Sequence, residues 1–236
     1  MHPQEQPSPY PFPIKRGNLL DELAAKWAPT KRLHDYLPYY WLHFRDIREQ
    51  VTAFLEIGVE SGRSLFMWEE FFPNAMIYGL DINPECKQFE GGRRKIYIGS
   101  QANPELLQKI VADAGRFDVI IDDGSHQVVH QLTSFNHLFA AMTSHGIYVI
   151  EDTGTCVGDH GLQVINGMKT LVDGIQHWPN GFPALDWPYL SEFPPETNWL
   201  AKNVIGVAFY RFIVFVMRGN NPGDNPWTLP LSERPR

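Results

Sequence analysis

Five short apolar runs, each closing on a glycine or an acidic residue, govern what residues 51–152 can fold into. They are Val51–Ile57, Met76–Leu80, Lys95–Ile98, Phe117–Ile121 and Gly146–Ile150. Three of the gaps, Gly62–Phe72, Pro104–Ala114 and Gln127–Met142, carry helical periodicity. A strand that is apolar along its whole length is buried on both faces, which points to a parallel sheet covered by helices on either side. Right-handed crossovers then make a doubly wound α/β fold.

The flanks extend this core. Leu19–Trp27 and Asp35–Arg48 read as helices; the second carries Tyr36, Tyr39, Tyr40, Trp41, Phe44 and Ile47, an aromatic face expected to be buried. A helix over His160–Trp178 precedes Val204–Tyr210 and Phe212–Arg218, two strands joined by a tight turn at Tyr210-Arg211. As an antiparallel edge pair they complete a seven-stranded, mostly parallel, Rossmann-like sheet. The expected organisation is a proline-rich arm at 1–17, one domain over 18–219 with a helical segment at 18–50, and a loop-like tail at 220–236. Residues 178–199 are rich in proline and tryptophan, so no regular element is expected there. That segment reads either as a substrate lid, with Trp178, Trp187, Tyr189 and Trp199 against a sugar ring, or as filling over the sheet.

Composition narrows the function classes. Twenty Lys and Arg against 27 Asp and Glu give a formal charge of −7, which argues against nucleic acid as the main partner. The two cysteines, Cys86 and Cys156, form no CxxC pair, too few for a disulfide scaffold or a structural zinc site. The first residues lack an apolar signal-peptide core, and the longest apolar stretch, Val204–Met217, is interrupted by Arg211. A soluble cytoplasmic protein without membrane insertion is the expectation.

In an open α/β sheet, ligands bind beyond the carboxyl ends of the strands. The first strand delivers Glu56 and then Gly58-Val-Glu-Ser-Gly62-Arg-Ser64 into a helix; the second ends in Asp81, placed to receive ribose hydroxyls. Gly58 and Gly62 allow a tight turn, but Glu60 stands where a GxGxxG motif has glycine, and a carboxylate there suits a diphosphate poorly. A cofactor with a positive centre, S-adenosylmethionine, suits it better; a plain strand-to-helix turn uses the same glycines. The fourth and fifth strands end in Asp122-Asp123-Gly124-Ser125-His126 and Glu151-Asp152-Thr153. Four carboxylates on two neighbouring strand ends repel one another unless they take up protons or share a cation. Hard oxygen donors on rigid strand ends suit Mg²⁺. Capping of helices is the plainer use of such acids, though it needs no double acid on both strands. Side-chain alternation turns one of Asp122 and Asp123 away. His126, three residues past Asp123, reads as a general base ahead of a simple cap or metal ligand, whereas His130, His137 and His145 read as structural.

The segments LEIGVESGRSL, YGLDI, IGSQ, FDVIIDDGSH and GIYVIEDT, in that order, resemble the Mg²⁺-dependent, S-adenosylmethionine-dependent sugar O-methyltransferases of the class I fold. These enzymes modify deoxysugars on macrolides and other natural products, rhamnosyl glycolipids and polysaccharides. The similarity spans about residues 50–160. It implies Mg²⁺ on Asp123, Glu151 and Asp152, with His126 as general base. It further implies cofactor contacts from Glu56, Gly58, Ser64, Asp81 and Gln101, joined by Ser100 and Asp122; many relatives have Gly-Asp-Gln where this chain has Gly99-Ser100-Gln101. A small-molecule sugar or oligosaccharide acceptor and a homo-oligomer, with a dimer as the expected form, follow from the same resemblance. The catechol and phenol O-methyltransferases resemble this arrangement too, with lysine at the place of His126, and remain the alternative. An iron-dependent hydroxylase is weakened by having only one well-placed histidine, and a non-enzymatic scaffold by the intact Asp123, His126, Glu151 and Asp152.

Overall fold

The structure is a computed structural model and describes residues 17–154, 160–176, 199–200 and 202–221. Helix α1 (Leu19–Trp27) starts at Asn18, whose side chain accepts from the Asp21 N–H while Asp21 caps back onto the Asn18 backbone. It stops at Ala28, in the left-handed region just before Pro29. A 3-10 turn (Thr30–Arg32) leads to α2 (Leu37–Phe44). Then come β1 (Ala53–Ile57), α3 (Arg63–Phe71), β2 (Met76–Asp81), β3 (Arg94–Ile98), α4 (Pro104–Ala114), β4 (Phe117–Asp122), α5 (Val128–Leu138), β5 (Met142–Ile150), α6 (His160–Gln176), β6 (Val204–Tyr210) and β7 (Ile213–Arg218). The expected doubly wound sheet has seven strands in the order β3-β2-β1-β4-β5-β7-β6. Its first five strands are parallel, and β7 runs antiparallel to both β5 and β6.

Two sequence boundaries shift. The aromatic helix is shorter than Asp35–Arg48 because Asp35 takes a positive φ of 58° and the chain turns again after Phe44. The helix expected over Gln127–Met142 ends at Leu138, and a 3-10 turn over Phe139–Ala141 lets Met142 pair with Phe117. Strand β5 thus begins at Met142, four residues before Gly146. The arm at 1–16, Cys156, the segment 177–198 and the tail from 222 lie outside the described residues. Among the described residues, no helix is long and apolar enough to cross a membrane.

Strand alternation builds two cores. Phe54, Ile77, Ile96, Val119, Ile121 and Val149 face α1, α2 and α3, where Tyr40, Phe44, Trp68, Phe71 and Phe72 pack edge-on and stacked. Leu55, Ile57, Leu80, Ile120, Tyr148 and Ile150 face α4, α5 and α6. The register aligns Ile57, Asp122 and Ile150 across β1, β4 and β5. Their next residues, Gly58, Asp123 and Glu151, therefore leave the sheet side by side at the point where strand order reverses.

Candidate active site

Alternation decides which acid goes where. Asp122 shares a face with Ile120 and points under α5, fully buried, accepting both Gln101 Nε2 contacts at 3.0 Å. Burial pushes its carboxyl up to about 6, while the Gln101 amide, the Gly124 N–H and Ser134 work against that rise. Gln101 also spans from Ser134 Oγ to the Ser125 N–H, at 3.0 and 2.7 Å. Asp122 is thus a buried anchor for Gln101 and does not line the neighbouring cavity.

That cavity, of about 340 Å³, opens beyond β1, β2 and β4 and is lined by Ile57, Gly58, Leu80, Asp81, Ile82, Gly99, Ser100, Gln101, Gly124, Ser125, Gln127 and His130. Of the residues assigned to a cofactor, Gly58, Asp81, Ser100 and Gln101 lie on its wall. Asp81 also organises its own loop, accepting from the Val59 and Glu60 N–H groups at 2.8 and 2.9 Å and from Asn83 at 2.8 Å. Glu56 and Ser64 are elsewhere: Ser64 Oγ donates to Glu56 at 2.7 Å and Trp68 Nε1 donates to it at 3.2 Å, inside the core beneath α3. Gly58 has φ +92°, and a Cβ there would lie 2.0 Å from the Asp123 carbonyl oxygen. Its glycine is needed first to let the β4 end approach β1. His130, read from sequence as structural, reaches the cavity and bonds Ser125 Oγ at 2.8 Å. A single-sequence pattern holds no sign of that, because a histidine on a helix face looks the same whatever it faces.

Asp123, His126 and Asp152 come together, each offering one ligand atom within 4.8 Å of the others. His126 Nε2 lies 3.6 Å from Asp152 Oδ2. Both residues have left-handed backbones, φ 55° each, outside the usual range for side-chain-bearing residues. Two hard carboxylate oxygens at a rigid strand end fit a magnesium ion, with the imidazole alongside. Glu151, the third ligand implied by the resemblance, turns the other way. It is 1% exposed and follows the alternation of Val149 into the α1–α3 side, where Lys31 Nζ lies 2.7 Å from Oε1 and Tyr40 donates to the same oxygen.

The segment before the sheet, which sequence patterns connected with nothing, supplies this inner layer. Lys31 is 1% exposed and its ammonium meets Asp123 at 2.5 Å, Glu151 at 2.7 Å and Glu56 at 3.1 Å. Burial alone would lower its pKa, but the carboxylates of Asp123, Glu151 and Glu56 outweigh burial and hold it well above the ordinary lysine value. Glu56 and Glu151 are both pushed up by burial, with Asp123 adding to the rise and Lys31 opposing it. Tyr36 donates to Asp152 Oδ1 at 2.5 Å, and His34 Nδ1 lies 3.2 Å from the same oxygen. Trp199, one of the aromatics considered for an acceptor, packs against Phe139 with Arg218 over its ring at 5.3 Å. Those partners flank the start of β5, the opposite end of the sheet from the acids.

No protein-family model matches the chain. The chain is 36% identical over 235 residues to the mycinamicin VI 2''-O-methyltransferase of Micromonospora griseorubida, covering 89% of this chain and 55% of that enzyme. It is 32% identical over 231 residues to the 8-demethyl-8-(2-methoxy-alpha-L-rhamnosyl)-tetracenomycin-C 3'-O-methyltransferase of Streptomyces olivaceus, covering 89% and 57%. The solved structure of the MycE methyltransferase from the mycinamycin biosynthetic pathway, in complex with Mg, SAH and mycinamycin VI, superposes with a TM-score of 0.74 at 34% identity, over 88% of this chain and 55% of that one. The chain therefore spans little more than half the length of the relatives it matches, and its seven-stranded sheet is the class I methyltransferase fold.

Proposed function

The chain is a homologue of sugar O-methyltransferases of macrolide and tetracenomycin pathways, and from that kinship we propose that it methylates a sugar hydroxyl using S-adenosylmethionine and Mg²⁺. The acceptor is a small molecule bearing the sugar. The convergence of Asp123, His126 and Asp152 within 4.8 Å, reached by a loop whose Gly124 and Ser125 line the cavity, carries this reading.

An alcohol holds its proton far more tightly than an imidazole at its ordinary pKa of about 6.5 can accept it. Bound Mg²⁺ supplies the missing activation by acidifying an alcohol coordinated to it. Asp123 and Asp152 would hold the ion. His126 would take the hydroxyl proton as the oxygen bonds the methyl carbon, whose bond to the cofactor's sulfur breaks to leave a neutral thioether. The Asp152 carboxylate, 3.6 Å from Nε2, stabilises the imidazolium that results, and Tyr36 holds Asp152 in place from behind. The cavity takes the cofactor: Asp81 and Ser100 at one wall, Gln101 fixed by Asp122 at another, and among the described lining residues no lysine or arginine of the kind that binds a diphosphate. Holding methyl donor and hydroxyl at attack distance contributes much of the remaining acceleration.

The experiment is transfer of a labelled methyl group from S-adenosylmethionine to a panel of glycosylated macrolides, rhamnosyl polyketides and catechols, with and without Mg²⁺. Magnesium-dependent label in a sugar is the expected outcome. Label confined to catechols would replace the sugar reading with the phenolic one, and no transfer to any acceptor in the panel would count against the proposal.

A further inference from the structure

The ammonium of Lys31 lies in the acidic cluster, on a segment upstream of the sheet, and no cofactor chemistry calls for it. From this placement we infer that Lys31 is the fixed cation of the site: a positioning residue that holds Glu56 and Glu151 inward and thereby sets how tightly Asp123 and Asp152 bind a divalent ion. The inference rests on the magnesium reading above.

Three observations support it. The ammonium makes contacts of 2.5–3.1 Å with Asp123, Glu151 and Glu56, and those two glutamates and the lysine are 1% exposed or less. Among the described residues, Glu151's carboxylate is held by Lys31 and Tyr40 from the same stretch, so Glu151 is drawn away from the Asp123–His126–Asp152 trio. Finally, Asp123 belongs to both layers. One of its oxygens already accepts from Lys31 at 2.5 Å, so a divalent ion approaching Asp123 meets a carboxylate partly neutralised from below. A buried carboxylate without a counter-charge is strongly disfavoured, so the lysine cannot withdraw without another cation or a proton taking its place.

Magnesium chloride titrated by calorimetry into the full chain, its Lys31→Met variant and the double variant Lys31→Met/Glu151→Gln tests this. Methionine keeps the packing and removes the charge. The single variant is expected to bind Mg²⁺ about tenfold or more tighter than the unaltered chain, since a nearby positive charge has been removed. The double variant restores the charge balance of the cluster and should return to within about threefold of the unaltered chain. Saturable binding with equal constants in the single variant and the unaltered chain would overturn the role of Lys31 alone. Absence of saturable binding in both would end the magnesium reading, and this inference with it. If Lys31→Met is unfolded without metal and folds when Mg²⁺ is added, the counter-ion role is supported. If it is unfolded at every concentration, the double variant decides: near-normal binding supports the charge balance, and binding weakened about tenfold overturns it.

Discussion

Replacing Gly58 by alanine tests how the site is built, because two costs can be separated. The first is backbone strain: at φ +92° a residue with a Cβ pays about 1–2 kcal/mol. The second is collision. The new methyl would lie 2.0 Å from the Asp123 carbonyl oxygen and 2.7 Å from its carbon, backbone atoms that cannot rotate away. Asp123 is also tied to β1 through its N–H to the Ile57 carbonyl at 2.9 Å, so relief means shifting the β4 end by about an ångström, at an overpacking cost of about 1–3 kcal/mol. Gly115 supplies the control. It has φ +84° and nothing within 4 Å of a built Cβ, so Gly115→Ala pays strain without collision. Thermal melting should place Gly58→Ala below Gly115→Ala by roughly 2–12 °C, taking ~2–4 °C per kcal/mol for a domain of this size. Only the Gly58 variant should also weaken Mg²⁺ binding, because Asp123 moves with its carbonyl. Equal melting temperatures and unchanged Mg²⁺ binding in both variants would refute the view that the β1 glycine sets the position of Asp123.

Further outcomes follow from the same geometry. His126→Ala should bind cofactor normally by calorimetry yet lose turnover by about 10²–10⁴, the usual share of a general base; unchanged turnover would remove it from the mechanism. Chelation by EDTA should abolish methyl transfer and added Mg²⁺ should restore it, whereas full activity in excess chelator would exclude the metal. The third concerns stability against pH. His43, stacked on Phe215 and bonded to Tyr210, has its pKa lowered by burial to about 4, against about 6.5 unfolded. Between those values the unfolded chain binds the extra proton, so this contribution is complete above about pH 6.5 and is lost on acidification towards 4. Melting temperatures of the unaltered chain and a His43→Phe variant should diverge less at acid pH than at neutral pH if the variant is the less stable, and parallel curves would exclude His43 as a source.

The parallel sheet was legible because a strand buried on both faces is apolar along nearly its whole length; Ile77–Leu80 and Val119–Ile121 have that signature whatever surrounds them, and β1 keeps it apart from Glu56. The acids at the strand ends were legible for the same reason: an ionisable residue directly after such a run leaves the sheet where ligands bind. Sequence order could not say which way each would turn. Asp122 and Asp123 were separated by alternation about a register that only pairing with β1 and β5 establishes, and Glu151 was drawn inward by a lysine 120 residues away. Lys31 itself carries no local sign of burial in TKRLHDY, since an isolated lysine among polar neighbours reads as solvent-exposed. Periodicity reports how a residue relates to its own element, so it revealed the architecture and the location of the site. The charge balance of the site depends on contacts between distant segments, and these exist only once the chain has closed.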